Sequence, residues 1–163
     1  MTKLFQETEV NTANLVEHFI DSGLVPIDVH ENQIAFRTAT GIAYSITIIG
    51  DKKFIQIGTC LPLDRRQTRQ TKLDFEHRLN TDVFLPTFSL DSDDDLLVMY
   101  HLPYAHGLIA GQLVAIVHRF TSVLNFIVQS ADHDDLIDFN TSTNDDQDTT
   151  AEPFMVPAGV VLN

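Results

Sequence analysis

Short segments in which apolar and polar residues alternate, joined by turns of a few residues, most constrain how this chain can fold. They cover residues 25–60, where Ile46 and Ile48, for example, alternate with Ser45 and Thr47. Such alternation is typical of strands with one buried and one solvent-facing side. A parallel neighbour would need a crossover of a dozen or more residues, so the short turns require antiparallel pairing. We therefore expect four consecutive antiparallel strands.

Three helices are predicted around these strands. Residues 12–22 carry apolar side chains on one helical face, and a second helix is predicted from its N-cap Asp64 to about Leu79. The strongest pattern covers residues 107–131 and has a broad apolar face. This third helix approaches the length of a membrane span, but the central Arg119 would be costly in lipid. We expect it to lie in a protein core and predict no membrane partner.

A second hairpin is predicted between the second and third helices. Residues 83–90 and 96–102 form its strands, and the polar residues 91–95 form its turn. Both faces of these strands are apolar, so one face needs cover beyond a single helix. This pattern predicts a surface for a protein partner or a second copy of the chain. Its candidate residues are Phe84, Phe88, Leu97 and Met99.

The element order defines the expected fold class and domain limits. We predict one α+β domain over residues 1–131, in which an antiparallel sheet of about five to six strands packs with three helices. The expected order is α-β-β-β-β-α-β-β-α. The chain length of 163 residues suits a single domain.

Residues 132–163 are predicted to form a flexible acidic tail. Eight acidic residues and no Lys or Arg lie between positions 132 and 152, a composition that buries little apolar surface. An apolar end follows, in which Phe154, Met155 and Val156 are a candidate binding motif. This end either folds back on its own domain or is presented to a partner.

Charge is distributed unevenly along the chain. The formal net charge is -13, which disfavours binding to nucleic acid because phosphate contacts need basic surface. Residues 52–78 nevertheless hold seven of the ten basic residues. Arg65, Arg69 and Lys72 have the spacing of one helix face, which is either a solvated surface or a docking site for an acidic partner or the chain's own tail.

No motif predicts a catalytic, metal-binding or cofactor-binding site. The aspartates of residues 91–95 have the spacing that opens an EF-hand loop, but the required Gly and Glu are missing. Cys60 lacks a basic neighbour before Arg65 and is expected to be an inert thiol. Cys60, His101 and His106 remain the residues that a catalytic alternative would have to use, and they would need to lie within hydrogen-bond range.

The second half of the domain resembles a known family. The helix ending at Asn80, the strand ending at Leu90, the turn of residues 91–95, the strand ending at Leu102-Pro103 and the long final helix are similar to the YbjN-like family of bacterial sensory-transduction regulators. With the earlier elements the resemblance covers most of residues 10–131. It implies a fold like that of class I type III secretion chaperones, frequent dimers and binding of protein segments, and it carries over no catalytic residue.

These observations favour a non-enzymatic protein-binding module, chaperone-like or regulatory, that recognises a protein segment through an apolar sheet and helix surface. The alternative is a homodimeric scaffold or self-regulated adaptor whose tail docks on itself or on a partner. A homodimer is expected in either case. The single cysteine and the absence of an apolar leader at the start of this sequence predict a cytoplasmic location.

Overall fold

The computed structural model describes residues 3–132 and 136–139. Within them three α-helices and a six-stranded antiparallel sheet form an α+β fold, which confirms the predicted class. In chain order the elements are β1 (Leu4–Phe5), α1 (Thr12–Asp21), β2 (Asp28–Val29), β3 (Gln33–Arg37), β4 (Ala43–Ile49), β5 (Phe54–Leu61), α2 (Arg69–Asp82), β6 (Thr87–Leu90), β7 (Leu96–Pro103), β8 (Leu108–Ile109) and α3 (Ala110–Asp132).

The strands lie in the order β2-β3-β4-β5-β7-β6, and each pairs antiparallel with its neighbours. The second hairpin thus joins the first four strands through a β5–β7 pair. The two-residue strands β1 and β8 form a separate pair that sequence patterning did not predict. They are too short for alternation to be visible. Gly107 precedes β8 with a φ of 96°, and a Cβ there would come within 3.0 Å of the Phe5 carbonyl oxygen.

The pairing register gives the six-stranded sheet two different faces. Ile46 lies opposite Ile57, which lies opposite Tyr100 on β7, and residues directly opposite each other share a face. We call this side the covered face. Its buried apolar members are Ile34, Phe36, Tyr44, Ile46, Ile48, Ile55, Ile57, Leu61, Leu96, Val98 and Phe88.

All three helices contribute to the core on this covered face. Phe19 of α1 meets Phe36 edge to face, with ring centroids 5.3 Å apart. Phe120 of α3 lies 5.8 Å from Tyr44 between ring centroids. Phe75 of α2 belongs to the same hydrophobic cluster. Because α1, α2 and α3 all pack on one side, no described helix covers the other face of the sheet.

Helix α3 is long and apolar enough to cross a membrane by length and composition alone. Its fully buried residues Leu113, Val117 and Leu124 instead belong to the domain core. The polar Asn125 accepts a hydrogen bond of 2.7 Å from the Thr40 hydroxyl. These contacts describe a core helix of a folded domain, as the pattern predicted.

Helix α2 begins four residues later than predicted. Its N-cap is Thr68, whose hydroxyl accepts from the Thr71 N–H, rather than Asp64. The Asp64 carboxylate is instead held by the backbone N–H and guanidinium of Arg66. The carboxylate thus stabilises a turn before the helix, and the helix then extends three residues past the predicted end, to Asp82.

Two further boundaries differ from prediction. Strand β6 covers only the second half of residues 83–90, because Pro86 has no N–H to donate and Leu85 has a φ of 108°. The last helix was predicted to start at Gly107, but β8 (Leu108–Ile109) follows this residue, so α3 begins at Ala110. Helix α1 agrees with its prediction and is capped by the Asn11 side chain, which accepts from the Asn14 N–H.

Strand β6 forms an edge of the sheet, and Asn80 of α2 closes it. The Asn80 amide donates to the Phe88 carbonyl at 2.9 Å and accepts from the Phe88 N–H at 3.0 Å.

We expect Asn80→Ala to lower the free energy of unfolding by about 1 kcal/mol, because both backbone groups lose a partner. Urea unfolding and amide exchange at Phe88 measure this. Gln129→Ala on the exposed side of α3 is the control, and unchanged Phe88 exchange in Asn80→Ala would contradict the assignment.

Candidate protein-binding surface

The four residues predicted to form one apolar surface lie in three different places. Phe88 points to the covered face and is part of the core. Phe84 lies in the loop before β6 and is 80% exposed. Only Leu97 and Met99 lie side by side on the opposite face of the sheet. The prediction treated residues 83–90 as one regular strand, and the break at Leu85 and Pro86 separates Phe84 from the others.

We call the side of the sheet opposite the helices the open face. Its centre is small or polar, while Leu97 and Met99 on β7 and the pair Ile49 and Phe54 at the ends of β4 and β5 provide apolar surface. None of its residues belongs to the hydrophobic core cluster. The open face consists of Asp28, Gln33, Ala35, Arg37, Ala43, Ser45, Thr47, Ile49, Phe54, Gln56, Gly58, Cys60, Thr87, Ser89, Leu97, Met99, His101 and Pro103.

Small residues meet at the centre of the open face. Gly58 lies in the middle strand, directly opposite Ser45 on one side and Met99 on the other. Beside it the His101 Nε2 lies 3.1 Å from the Gln56 side-chain oxygen, and burial lowers the pKa of His101. Small residues in adjacent strands leave room for the side chains of a bound segment. Sequence patterning ignored these positions because they are the polar members of each alternation.

An exposed apolar edge lies at the far end of the sheet, and sequence reasoning missed it. Strand β2 is one edge of the sheet and β6 is the other. The exposed apolar side chains around β2 are Val25, Ile27 and Val29. The Asp28 carboxylate accepts from the Val29 N–H at 2.8 Å and lies 3.1 Å from the His30 ring. A carboxylate at this position opposes the addition of another strand.

The predicted basic helix face is engaged by an acidic turn of the same chain. The Arg65 guanidinium donates to the Asp95 carboxylate at 2.8 Å and to the Asp93 carbonyl. The Arg69 guanidinium donates to the Asp94 carboxylate. Residues 91–95 therefore already pair with two of these basic residues within the domain.

The three predicted basic residues do not form one helical surface. Arg65 precedes α2, because the helix starts at Arg69. Lys72 is on the buried side of α2 and is 3% exposed. The predicted i, i+4, i+7 arrangement is therefore wrong for geometric reasons, while a partner-binding role for the exposed Arg65 and Arg69 stays a prediction.

Asp64 is a buried carboxylate next to this basic region. Hydrogen bonds from the Arg66 guanidinium and backbone N–H lower the pKa of Asp64 below its ordinary value of 3.8, and the charge of Lys72 acts in the same direction. Ionised Asp64 therefore stabilises the fold above the unfolded pKa, and this stabilisation is lost as pH falls through the lower folded pKa.

Removing the Arg66 guanidinium should raise the pKa of Asp64. We expect the stability difference between the wild type and Arg66→Met to be largest above about pH 5 and to shrink as pH falls through the pKa of folded Asp64. Carboxyl-carbon NMR titration and acid unfolding measure the two effects. Arg119→Met on the exposed side of α3 should leave Asp64 unchanged, and an unshifted Asp64 in Arg66→Met would refute the pairing.

Cys60, Asp91 and Asp95 bring potential ligand atoms within 4.8 Å of one another. Their oxygens already have protein partners: one Asp91 oxygen accepts from the Asp93 and Asp95 N–H groups, and Asp95 accepts from the Leu63 N–H and from Arg65. The Cys60 thiol donates to the other Asp91 oxygen at 3.7 Å. The cluster is thus a hydrogen-bonded turn, and we assign no metal to it.

The catalytic alternative finds no support in the positions of Cys60 and His101. Cys60 of β5 lies opposite Leu97 of β7, and His101 of β7 lies opposite Gln56 of β5. Cys60 and His101 are therefore separated by four residues along the strands. Four residues of strand correspond to about 13 Å. These two side chains are therefore too far apart to act as a hydrogen-bonded pair.

Burial raises the pKa of the Cys60 thiol to about 12, and the charges of Asp91 and Asp95 add to the effect. We expect Asp91→Asn to increase the rate of alkylation by iodoacetamide at pH 8, because removing the carboxylate charge lowers the thiol pKa. Mass spectrometry follows the reaction. Asp21→Asn, on the exposed end of α1, should react like the wild type, and equal rates in all three proteins would contradict this electrostatic account.

The beginning of the predicted tail pairs with the domain. Leu63 and Ile137 form an antiparallel bridge, the Asp64 N–H donates to the Leu136 carbonyl at 2.8 Å, and the Asp138 N–H donates to the Pro62 carbonyl at 3.0 Å. Leu136 is buried in the core cluster. Contacts of the domain therefore extend to residues 136–139, beyond the predicted boundary at residue 131. The motif residues Phe154, Met155 and Val156 lie outside the described part of the chain.

Three helices on one face of an antiparallel sheet, with the other face left open, define a fold of the type III secretion chaperone kind. The family model with the description "putative bacterial sensory transduction regulator", YbjN, matches residues 12–127. The chain belongs to the YbjN family, as its element pattern predicted. No curated protein matches the sequence.

Two solved structures share this fold, and a third has a lower structural similarity. The crystal structure of YbjN from E. coli, "a putative transcription regulator", is 15% identical with a TM-score of 0.66 and covers 77% of this chain and 93% of its own. The HopA1–SchA chaperone–effector complex gives 10% identity, a TM-score of 0.51, and coverage of 71% and 88%. The Yersinia pestis type III secretion chaperone SycH, solved with a fragment of YscM2, is 19% identical with a TM-score of 0.48 and covers 72% of this chain and 97% of its own.

Proposed function

We propose that this protein binds a segment of another protein across the open face of its sheet, as a non-enzymatic module of the chaperone-like or regulatory kind. The observation that carries the proposal is the one-sided packing of the helices, which leaves Leu97 and Met99 on a face that the described helices do not cover. A complex is stabilised when apolar groups of a partner cover exposed apolar side chains on such a face.

The composition of the open face favours an extended segment as the ligand. Met99 lies directly opposite Gly58, and Leu97 lies two residues away on the same side of β7. An extended chain presents alternate side chains to such a surface at a spacing that matches the sheet. Burial of one Met or Leu side chain contributes about 1.5–3 kcal/mol, so a few such contacts suffice for a reversible complex. SchA, which shares the fold, was solved with an effector protein.

The regulatory description of the family fits the same surface. A protein that binds a segment of a partner can control that partner without chemistry. The net charge of -13 supports a protein partner over nucleic acid. A cytoplasmic location and a homodimer are part of the proposal, since two copies placing the same face together would form a self-complementary interface.

Photocrosslinking tests the proposed surface. We expect the full chain carrying p-benzoylphenylalanine in place of Met99 to capture one or a few proteins in cells of the source organism. The same residue in place of Ser122, on the exposed side of α3, should capture none of them. A second variant, Met99→Asp, should lower retention of the captured protein by at least about tenfold, because a buried charge without a partner is costly.

The other outcomes are informative about the occupant. Capture of a second copy of this chain, together with a dimer mass in light scattering, would assign the open face to a homodimer interface. A strict monomer with no crosslink at residue 99 and no binding of an apolar fluorescent dye would refute the proposed surface.

A further inference from the structure

The end of α1 and the chain that leads from it into β2 carry an exposed apolar surface that the proposed function does not use. We call this surface the edge patch. It consists of Ile20, Val25, Ile27 and Val29, which are 53%, 72%, 54% and 46% exposed. Neighbouring exposed apolar side chains on a folded domain mark places where a partner binds.

Helix α1 and the chain that follows it run side by side, which brings these four residues to one edge of the domain. The Thr12 hydroxyl donates to the Glu31 carbonyl at 2.6 Å, so the start of α1 lies beside the turn after β2. From the end of α1 the chain returns to that turn through residues 24–29. The His18 ring packs against β1 on the other side of α1, and Ile20 lies about 200° further round the helix.

The surroundings of the edge patch are acidic. Residues 4–36 contain six acidic residues and no Lys or Arg. Glu17 and Asp21 are exposed one turn apart on α1, and Glu17 adjoins Ile20 on the helix surface. Glu31 is exposed at the other end of the patch. These three carboxylates form no ion pair with any residue that the structure describes, so their charge is available to a basic partner.

We propose that the edge patch binds a cationic amphipathic helix of a partner protein. The apolar side of that helix packs on the edge patch, and its Lys or Arg side chains lie against the carboxylates around the patch. This site is separate from the open face and does not depend on the proposed function.

Strand β2 is poorly suited to pair with an added strand, which favours a helix as the ligand. It is only two residues long. The Val29 N–H already donates to the Asp28 carboxylate at 2.8 Å, and a charged side chain at a sheet edge opposes strand pairing. A bound helix needs apolar anchors rather than free backbone groups of the edge, and the edge patch supplies such anchors.

The charges favour a different protein over a second copy of this chain. A two-fold interface would place the edge patch against itself. It would thereby bring Glu17, Asp21 and Glu31 against like charges, which opposes association. Arg37, the first basic residue after Lys3, lies on the open face by register and does not neutralise them. The cations must therefore come from another protein.

Designed peptides test the chemistry of this site on the full chain. The probe is a helical peptide of about 18 residues with Leu on one face and Lys on both flanks, compared with the same peptide carrying Glu in place of Lys. We expect the Lys peptide to bind with a dissociation constant below about 1 mM and at least about tenfold more tightly than the Glu peptide. Its affinity should fall as salt rises from about 50 to about 500 mM.

Methyl NMR locates the bound peptide. The Lys peptide should shift the signals of Val25, Ile27 and Val29 and leave those of Leu97 and Met99 unchanged. No binding up to about 1 mM, equal affinity of the two peptides, or shifts at Met99 without shifts at residues 25–29 would overturn the proposal.

Apolar variants test the contact with the edge patch. Ile27→Asp should lower the affinity for the Lys peptide at least about tenfold, because the charge would be buried under the apolar side of the helix. Ile27 is more than half exposed, so the variant should keep the fold, which its amide NMR spectrum checks. Val25→Asp, at the most exposed position of the patch, should have the same effect. Unchanged affinity in either folded variant would overturn the proposal.

Charge variants test the role of the carboxylates. Glu17→Gln combined with Asp21→Asn should weaken binding of the Lys peptide about threefold to tenfold, because exposed ion pairs contribute little each. Asp74→Asn combined with Asp82→Asn removes the same charge from α2 and should bind like the wild type. Equal weakening in the two double variants would show attraction to net charge alone and overturn the proposal.

The proposal and the proposed function fail separately. Met99→Asp should bind the Lys peptide like the wild type, and Ile27→Asp should leave crosslinking through residue 99 unchanged. If Ile27→Asp converts a dimer into a monomer in light scattering, a second copy occupies the edge patch and the proposal is wrong, whatever residue 99 captures.

Discussion

The packing of three helices against one face of the sheet is the constraint on which the rest of this structure depends. Aromatic contacts run through that interface from Phe19 to Phe36, Tyr44 and Phe120, and tie α1 and α3 to the central strands. Apolar burial of this extent is the dominant favourable term in folding. Since the helices all use one face, the other face receives no cover from them, and this asymmetry makes it the candidate binding surface.

Electrostatic contacts complete the domain beside this core. The acidic turn at residues 91–95 binds Arg65 and Arg69, and Arg66 binds Asp64, so most of the local positive charge is already paired. Such pairs at the surface contribute little stability each, but they fix the loop before α2 and the turn before β7 relative to one another. Burial of Cys60, together with the charges of Asp91 and Asp95 in the same turn, raises the pKa of that thiol.

Membership of the YbjN family and the chaperone-like fold agree with a protein-binding role, while the surface itself comes from the structure. The open face has small and polar residues at its centre and the apolar residues Leu97, Met99, Ile49 and Phe54 around them.

The sequence by itself determined the antiparallel sheet, the three helices and their order, because period-two and period-3.6 patterns and short turns are local properties. It also determined the charge asymmetry and the family. Only the tertiary structure decided that Phe88 and Leu97 face opposite ways, that Lys72 is buried, and that α2 starts after Asp64. The orientation of Phe88 and Leu97 depends on strand register and on the break in the strand at Leu85. The start of α2 depends on Arg66, which binds the Asp64 carboxylate. A local sequence pattern does not show which of several possible contacts forms.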